Sequence, residues 1–445
     1  MNMSMARIDF RIPFFKKIFL GILLCIIASC SEQEEYDRFG GYTEQQFEAT
    51  GHFRTQKVNE RWMYITPEGH PYVALGANHV GKFLDNLEQS KSFLERFGDN
   101  RDLAEDAMHK TMVEMGLNAG EAYALLLPML TERMPYVVNI DFPDREKFRF
   151  DVFDPDFQQA LEEKIKKDSE GIAKDSMVLG IAFADLPVWD SRRMDFYRSL
   201  PEEAIGKQKY QGFLKEKYGK VEDLNSAYGT DFSSFGTMDS VKIKNTAVEK
   251  DDLEFLGILA DTLYANLQKS VRKYAPNKLF FGERFVLRMA PKPVLESVGK
   301  YVDVFCTQAL ILSPQRPPEW QLFQEDAYQE QFESTHRKPM MIIDWAAPFS
   351  LDETYETERG TVKNEQVASK ETAEWLKGVF SLPYVIGVFK CQLIGTHGND
   401  RWFPEGRMKR TYLQDDGQPF PVRTEITKKA HEKVLSSVYG SLHEE

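Results

Sequence analysis

The sequence is poor in the residues that mark disulfide, metal and phosphate sites. It has four cysteines in 445 residues, with no Cys-x-x-Cys pair and no cluster of cysteine with histidine. Neither a disulfide framework nor a metal site is therefore expected. No glycine-rich phosphate fingerprint is present, and we expect no cofactor. The net charge is −13 and no basic block follows the N-terminus, so nucleic acid is not an expected partner.

The N-terminus holds the one basic segment that precedes a long apolar run. Arg7, Arg11, Lys16 and Lys17 come before the apolar residues 18–27. That run is too short to span a bilayer comfortably, and small residues follow it. A basic segment, a short apolar segment and small residues are typical of a secretory signal. Two of the four cysteines, Cys306 and Cys391, end apolar runs farther along the chain and are expected to be buried thiols.

The signal ends on Ala-Ser-Cys, which resembles a bacterial lipoprotein signal with Cys30 as the lipidation site. The acidic stretch 32–35 resembles the export tag of Bacteroidetes surface lipoproteins. We therefore expect an outer-membrane lipoprotein, exposed at the cell surface and anchored through the lipid on Cys30. The alternative is an ordinary secreted protein with a chance cysteine. The expected organisation is a signal and lipidation site, an acidic tether and one large domain, at residues 1–30, 31–50 and 51–445.

Two apolar runs end in an aspartate. Residues 177–183 lead to Asp185 and then to Trp189, and residues 339–343 lead to Asp344. Runs of this length, bounded by turn residues, are typical of strands buried on both faces. Two buried strands that each end in a carboxylate predict a two-carboxylate active site.

Strand-like and helical patterns alternate along the rest of the chain. A hairpin at 51–71 comes first, and a helical insertion at 190–250 follows the fourth strand. The expected strands are residues 72–78, 116–123, 136–140, 178–183, 277–284, 301–306, 340–344 and 384–392. Eight apolar strands with helices between them predict an α/β fold, a (β/α)8 TIM barrel. A doubly wound open sheet is the alternative.

In such barrels the active site lies at the C-terminal ends of the strands. Glu283 ends the fifth strand and is a third candidate catalytic carboxylate. Tryptophan faces can pack against sugar rings, or can belong to the core. Lys390 is costly to bury unpaired, so it is expected to pair with Asp344 or with an anionic sugar group. The candidate substrate-binding residues are Asn78, His79, Glu121, Trp189, Arg284, Trp345, Lys390, Gln392, His397 and Trp402.

Residues 61–78 resemble the start of the agarase-type barrel of glycoside hydrolase family 50. Further similar segments follow in the same order, at 115–118, 135–138, 151–155, 213–219, 281–285 and 384–387. Together they cover roughly residues 51–435. The resemblance implies a (β/α)8 barrel that hydrolyses a β-linked galactan of the agar type, with a polysaccharide or oligosaccharide as its partner.

The family belongs to the retaining barrel glycosidases, which carry a catalytic Glu after strand four and another after strand seven. This chain has Asp185 and Asp344 there. Retaining carboxyl pairs stand about 5–5.5 Å apart and inverting pairs about 6.5–9.5 Å apart. Each Asp withdraws its carboxylate by about one bond, roughly 1.5 Å. The hypothesis is an inverting enzyme with Asp185 as general acid and Asp344 as base. For Glu283, a salt bridge to Arg284 or a hydrogen bond to sugar is the alternative to catalysis.

Three classes of function stay open. The first is a glycoside hydrolase on an agar-like galactan. The second is a glycan-binding barrel without catalysis, which the absence of both family glutamates favours. The third is a barrel enzyme of other chemistry, such as a lyase, that uses Lys390 or Glu283.

Overall fold

The computed structural model describes most of the chain after residue 34. The described residues are 35–80, 87–122, 127–143, 149–183, 189–237, 245–309, 323–352, 356–357, 360–361, 363–394 and 408–443. Four of the residues predicted to carry function lie outside them, namely Cys30, Asp185, His397 and Trp402. The expectations for these four stay predictions.

A small antiparallel sheet precedes the main one, as the hairpin pattern indicates. Its strands are β1 (Arg54–Val58), β2 (Arg61–Ile65) and β3 (Pro71–Tyr72). The backbone N–H of Trp62 donates to the carbonyl of Pro383 at 2.7 Å. This contact places the sheet against the N-terminal end of the last barrel strand, opposite the end where the strand-terminal carboxylates lie.

Nine strand segments form the main sheet, and all of its pairings are parallel. Their apolar side chains are buried on both faces, as expected for a parallel sheet covered by helices. The segments are β4 (Ala74–Ala77), β5 (Ala119–Ala122), β6 (Tyr136–Ile140), β7 (Val178–Phe183), β8 (Leu279–Glu283), β9 (Phe285–Val286), β10 (Phe305–Gln308), β11 (Met340–Trp345) and β15 (Val385–Lys390).

The spatial order is β8-β7-β6-β5-β4-β15-β11-β10-β9. The two ends of this order, β8 and β9, are separated in the chain by Arg284 alone. The sheet therefore curls back on itself into a nearly closed barrel, and the open doubly wound alternative is wrong. Four two-residue strands lie outside the barrel in two antiparallel pairs: β12 (Phe349–Ser350) with β16 (Met408–Lys409), and β13 (Glu356–Thr357) with β14 (Gly360–Thr361).

Helices occupy the connections between the strands. They are α1 (Leu87–Glu95), α2 (Arg101–Glu114), α3 (Pro128–Arg133), α4 (Pro155–Ser169), α5 (Ser191–Ser199), α6 (Ile205–Tyr218), α7 (Val221–Tyr228), α8 (Thr246–Tyr274), α9 (Lys292–Gly299), α10 (Glu325–Ser334), α11 (Glu365–Ser381) and α12 (Pro421–Gly440). Asp154 caps α4, since its carboxylate accepts from the N–H of Asp156 at 3.0 Å. Within the described part of the chain, no helix combines the length and apolar character needed to cross a membrane.

Candidate active site

Asp344 sits at an irregularity near the C-terminal end of β11. The register between β11 and β15 shifts between Ile342 and Trp345, and the backbone of Asp344 has a φ of 58°. Few residues other than glycine adopt this left-handed conformation, and aspartate is one that tolerates it. Bulges of this kind re-aim a side chain and are common beside active sites. The irregularity accompanies an Asp344 carboxylate that meets Arg284, which lies between β8 and β9, and Asn78, which directly follows β4.

Four groups surround the Asp344 carboxylate: Arg284, Asn78, His79 and Cys391. Arg284 Nη1 lies 3.0 Å from Oδ2, the amide of Asn78 donates to Oδ1, and His79 Nε2 lies 3.8 Å from Oδ1. Asp344 is 4% exposed. Burial disfavours the charged form, but Arg284, His79 and the hydrogen bonds from Asn78 and Cys391 outweigh it and hold the pKa of Asp344 below its usual value. Asp344 is therefore an ionised carboxylate in a nearly dry site.

A second buried carboxyl, Glu121 of β5, shares the same guanidinium nitrogen. Arg284 Nη1 lies 3.0 Å from Glu121 Oε1, and the backbone N–H of His79 donates to Oε2 at 2.9 Å. The amide of Asn139, on β6, also donates to Oε1. Burial, opposed by Arg284 and reinforced by the negative charge of Asp344, raises the pKa of Glu121 to about 7.

The site thus contains two carboxyl groups whose pKa values are pushed in opposite directions. Environments that separate two such values are typical of acid and base pairs. Because both groups touch one nitrogen of Arg284, their protonation is coupled and belongs to the pair. The arrangement can keep Asp344 charged while Glu121 gains or loses a proton near neutral pH.

The neighbours Glu283 and Arg284 reach different groups. Arg284 meets Glu121 and Asp344, whereas Glu283 accepts hydrogen bonds from Trp189 Nε1 at 2.6 Å and from the hydroxyl of Tyr264. Successive side chains on a strand point to opposite faces, which accounts for the split. Tyr264 belongs to α8, outside the barrel. A salt bridge to Arg284 is one alternative to catalysis for Glu283; the structure shows ion pairs of Arg284 with the two other carboxylates, Glu121 and Asp344.

The fold and this cluster can be set beside known proteins. No family model matches the chain. β-Agarase B of Vibrio sp. (strain JT0107) is 19% identical over 500 residues, which cover 93% of this chain and 51% of that protein. The chain therefore spans about half the length of the curated relative that it matches.

Two solved structures extend the likeness to the fold. An exo-β-agarase has a TM-score of 0.77 at 17% identity, over 98% of this chain and 72% of that chain. The agarase AgWH50C has a TM-score of 0.74 at 17% identity, over 95% of this chain and 70% of that chain. The chain has the agarase-type barrel fold. The resemblance to glycoside hydrolase family 50 is confirmed, and at these identities it establishes the architecture.

Two of the candidate tryptophans of this agarase-type barrel are packed inside protein. Trp189 and Trp345 are each 4% exposed. Arg193 lies over the ring of Trp189 at 4.6 Å, and Trp375 packs beside Trp345 with ring centroids 4.9 Å apart. The sequence allowed two interpretations of these tryptophans, a sugar platform or part of the core. Their burial favours the core.

Lys390 does not pair with Asp344, whose cationic partner is Arg284. The ammonium of Lys390 lies 4.5 Å from the ring of Trp345 and 5.1 Å from that of Tyr412, and it is buried. Among the described residues it donates no hydrogen bond. Burial, reinforced by Arg423, lowers the pKa of Lys390 well below its usual value. Gln392, next in the chain after Cys391, is half-buried.

Of the candidates named from the sequence, the structure brings five together: Asn78, His79, Glu121, Arg284 and Asp344. Sequence reasoning missed two further members of this cluster. Asn139 is the single polar residue in the apolar strand β6, a signal that could have found it. Cys391 hydrogen bonds to Asp344, and nothing in its sequence context indicated more than a buried thiol.

Proposed function

We propose that the chain is a glycoside hydrolase that cleaves an agar-like, β-linked galactan. The proposal rests on one observation above all: an ionised, nearly buried carboxylate, Asp344, at the C-terminal end of a barrel strand in a fold shared with agarases. Barrel enzymes place their catalytic groups at this end of the sheet. The proposal counts β8 and β9 as one strand interrupted at Arg284, which gives eight strands with Asp344 near the end of the seventh.

In the proposed reaction Asp344 is one catalytic carboxylate and Asp185 is the other. Asp185 follows β7, outside the described residues. Because both are aspartates where the retaining members carry glutamates, we propose an inverting reaction: Asp185 protonates the leaving oxygen and Asp344 activates a water. The product would then form with the anomeric configuration opposite to that of the substrate bond.

Glu121 takes a different part in this proposal. Glu121 Oε1 and Asp344 Oδ2 both lie 3.0 Å from Arg284 Nη1, so they are at most twice that distance apart. One guanidinium nitrogen therefore holds both carboxylates. Glu121 is also fully buried. We assign Glu121 the role of positioning Arg284 and tuning Asp344, with no contact to the sugar.

A specific observation favours a second function, a glycan-binding barrel without catalysis. Both oxygens of Asp344 already have protein partners, since Asn78 donates to Oδ1 and Arg284 to Oδ2. A carboxylate has about four lone pairs, so Asn78 and Arg284 leave at most two of them to take a proton from water. A carboxylate used only to organise the cleft would need no free lone pair.

The experiment is product release from agar, porphyran, carrageenan and β-glucan oligosaccharides. Wild type is run beside Asp185→Asn, Asp344→Asn and Glu283→Gln, and the first anomer formed is read by proton NMR. The proposal expects cleavage of an agar-type substrate with inversion, lost in the Asp185 and Asp344 variants. Retention of configuration would contradict the inverting reaction. If wild type binds one of these glycans but cleaves none of them, the second function, a glycan-binding barrel without catalysis, would be established.

We also propose that Cys30 carries lipid and anchors the protein in the outer membrane. The support is the basic, apolar and small-residue pattern that ends on Cys30. Metabolic labelling with a fatty acid analogue tests it directly. Label is expected on the wild-type chain and absent from Cys30→Ser, and accessibility of the intact-cell protein to added protease tests surface exposure. A label that persists in Cys30→Ser would contradict the assignment.

A further inference from the structure

Three side chains of different metal-ligand type meet beside the Asp344 carboxylate. The imidazole of His79, the carboxylate of Asp344 and the thiol of Cys391 each place one ligand atom within 4.8 Å of the other two. His79 Nε2 lies 3.8 Å from Asp344 Oδ1, and the Cys391 thiol is hydrogen-bonded to Asp344. Two ligands on a tetrahedral ion stand roughly 3.4 Å apart at the usual bond lengths. A few tenths of an ångström would bring the imidazole and carboxylate to that spacing.

The surroundings of the three groups also suit a bound ion. Glu121 Oε2 lies 3.8 Å from His79 Nδ1, the ring nitrogen that faces away from Asp344. Ligating histidines usually turn their other nitrogen toward a carboxylate, which fixes the ring and raises its basicity. Asn78 donates to the Asp344 carboxylate and orients it in the same way.

The net charge of the cluster is compatible with a bound cation. Two carboxylates, Glu121 and Asp344, face the single guanidinium of Arg284. A thiol binds a divalent cation as the thiolate, which adds one negative charge to the cluster. With a divalent cation bound, two carboxylates and one thiolate would be opposed by the cation and the guanidinium, and the charges would cancel.

We propose that His79, Asp344 and Cys391 form a binding site for a thiophilic divalent cation such as Zn²⁺, with a fourth position open to water. A thiolate with an imidazole and one carboxylate suits zinc and disfavours magnesium and calcium, which prefer oxygen ligands. On binding, the S–H bond of Cys391 breaks, the sulfur–metal bond forms, and the proton leaves to solvent. Affinity therefore rises with pH. Because the ion takes the carboxylate used in the proposed hydrolysis, it would inhibit that reaction; this consequence rests on the proposed function.

Binding is measured by calorimetry with Zn²⁺ on the chelator-treated full chain, and by the near-ultraviolet thiolate absorption that bound Co²⁺ produces. One equivalent is expected. Cys391→Ser should weaken binding by at least about 100-fold, since loss of outer partners alone costs 10–100-fold. Cys306→Ser is the matched control, because Cys306 is a buried thiol of β10 outside the cluster, and it should bind as wild type does. Circular dichroism checks that each variant is folded.

Equal affinity in Cys391→Ser and wild type, or no thiolate band with Co²⁺, would overturn the site. His79→Gln is a second test of the site. It leaves the Cys391 thiol in place and should also weaken Zn²⁺ binding. Hydrolysis is compared with and without Zn²⁺ within each variant. Binding by a protein that cleaves no agar would uphold the metal site and reject the proposed function. Cleavage of agar by a protein that does not bind Zn²⁺ would reject the metal site and uphold the proposed function.

Discussion

Arg284 Nη1 lies 3.0 Å from Asp344 Oδ2, and the same nitrogen lies 3.0 Å from Oε1 of Glu121. One guanidinium thus joins β5 and β11 through the middle of the barrel mouth. All three side chains are nearly or fully buried. The stability of the barrel mouth and the charge state of Asp344 consequently depend on the same residue.

Removing that guanidinium should destabilise the protein. Arg284→Met leaves two buried carboxylates without their cation, and breaking a buried pair in this way costs about 3–5 kcal/mol. Urea denaturation measures the loss. The control is Arg337→Gln, which removes an exposed i,i+4 pair with Glu333 and should cost at most about 1 kcal/mol. Equal losses in the two variants would show that the Arg284 contacts do not stabilise the fold.

The raised pKa of Glu121 predicts how stability varies with pH. Its pKa is about 7 in the folded chain against 4.5 ordinarily, so between these values the folded state binds more protons than the unfolded state. The free energy of unfolding should therefore fall as pH rises from 4.5 to 7, by at most about 3 kcal/mol from this group. Glu121→Gln mimics the protonated form and should remove that part of the dependence. Identical pH profiles for wild type and variant would contradict the shift.

Much of the fold could be predicted because parallel strands buried on both faces leave a strong signal. The apolar runs 178–183 and 340–343 became β7 and most of β11, and Asp154-Pro155 marked the start of α4. The five residues Asn78, His79, Glu121, Arg284 and Asp344 were found together because the ends of parallel strands meet at one edge of a barrel.

The direction of individual side chains was not predictable in the same way. Glu283 and Arg284 are adjacent, yet one reaches Trp189 and Tyr264 and the other reaches Asp344. The direction of each side chain depends on the local register of the strand. That register is set by the pairing with neighbouring strands and not by the residue types. Burial of Trp345 against Trp375 depends likewise on packing between β11 and α11, which an aromatic residue at a strand end does not indicate.

Glu283→Gln should keep most of any hydrolytic activity. The glutamine carbonyl can still accept the hydrogen bonds from Trp189 and Tyr264, and the variant leaves Asp344 and Arg284 unchanged. Weakening these charge-assisted bonds should lower the free energy of unfolding by about 1–3 kcal/mol. Initial rates on agar oligosaccharides measure the activity. A loss as large as that of Asp344→Asn would place Glu283 in the catalytic pair.

Lys390→Met should be at least as stable as wild type at pH 7. The folded protein holds a buried amine whose pKa is lowered well below its usual value, so the unfolded state binds the proton more tightly. The stability cost of Lys390 is therefore present at neutral pH and shrinks as pH rises toward the unfolded pKa. Methionine keeps the apolar stem and removes the ammonium that lies over the rings of Trp345 and Tyr412. Thermal denaturation at pH 7 and pH 9 tests this, and a large destabilisation by methionine at both values would contradict it.

The most direct measurement of the central claim is the initial rate of oligosaccharide release from agarose by wild type and by Asp344→Asn, each shown to be folded. Asparagine also tolerates the left-handed backbone at this position, so the variant removes the charge and one of the two acceptor oxygens without straining the backbone. The account predicts release by wild type and a loss of at least about 100-fold in the variant. Equal rates would show that Asp344 is not catalytic, and no release by wild type with retained binding to agarose would show that this barrel binds the glycan without cleaving it.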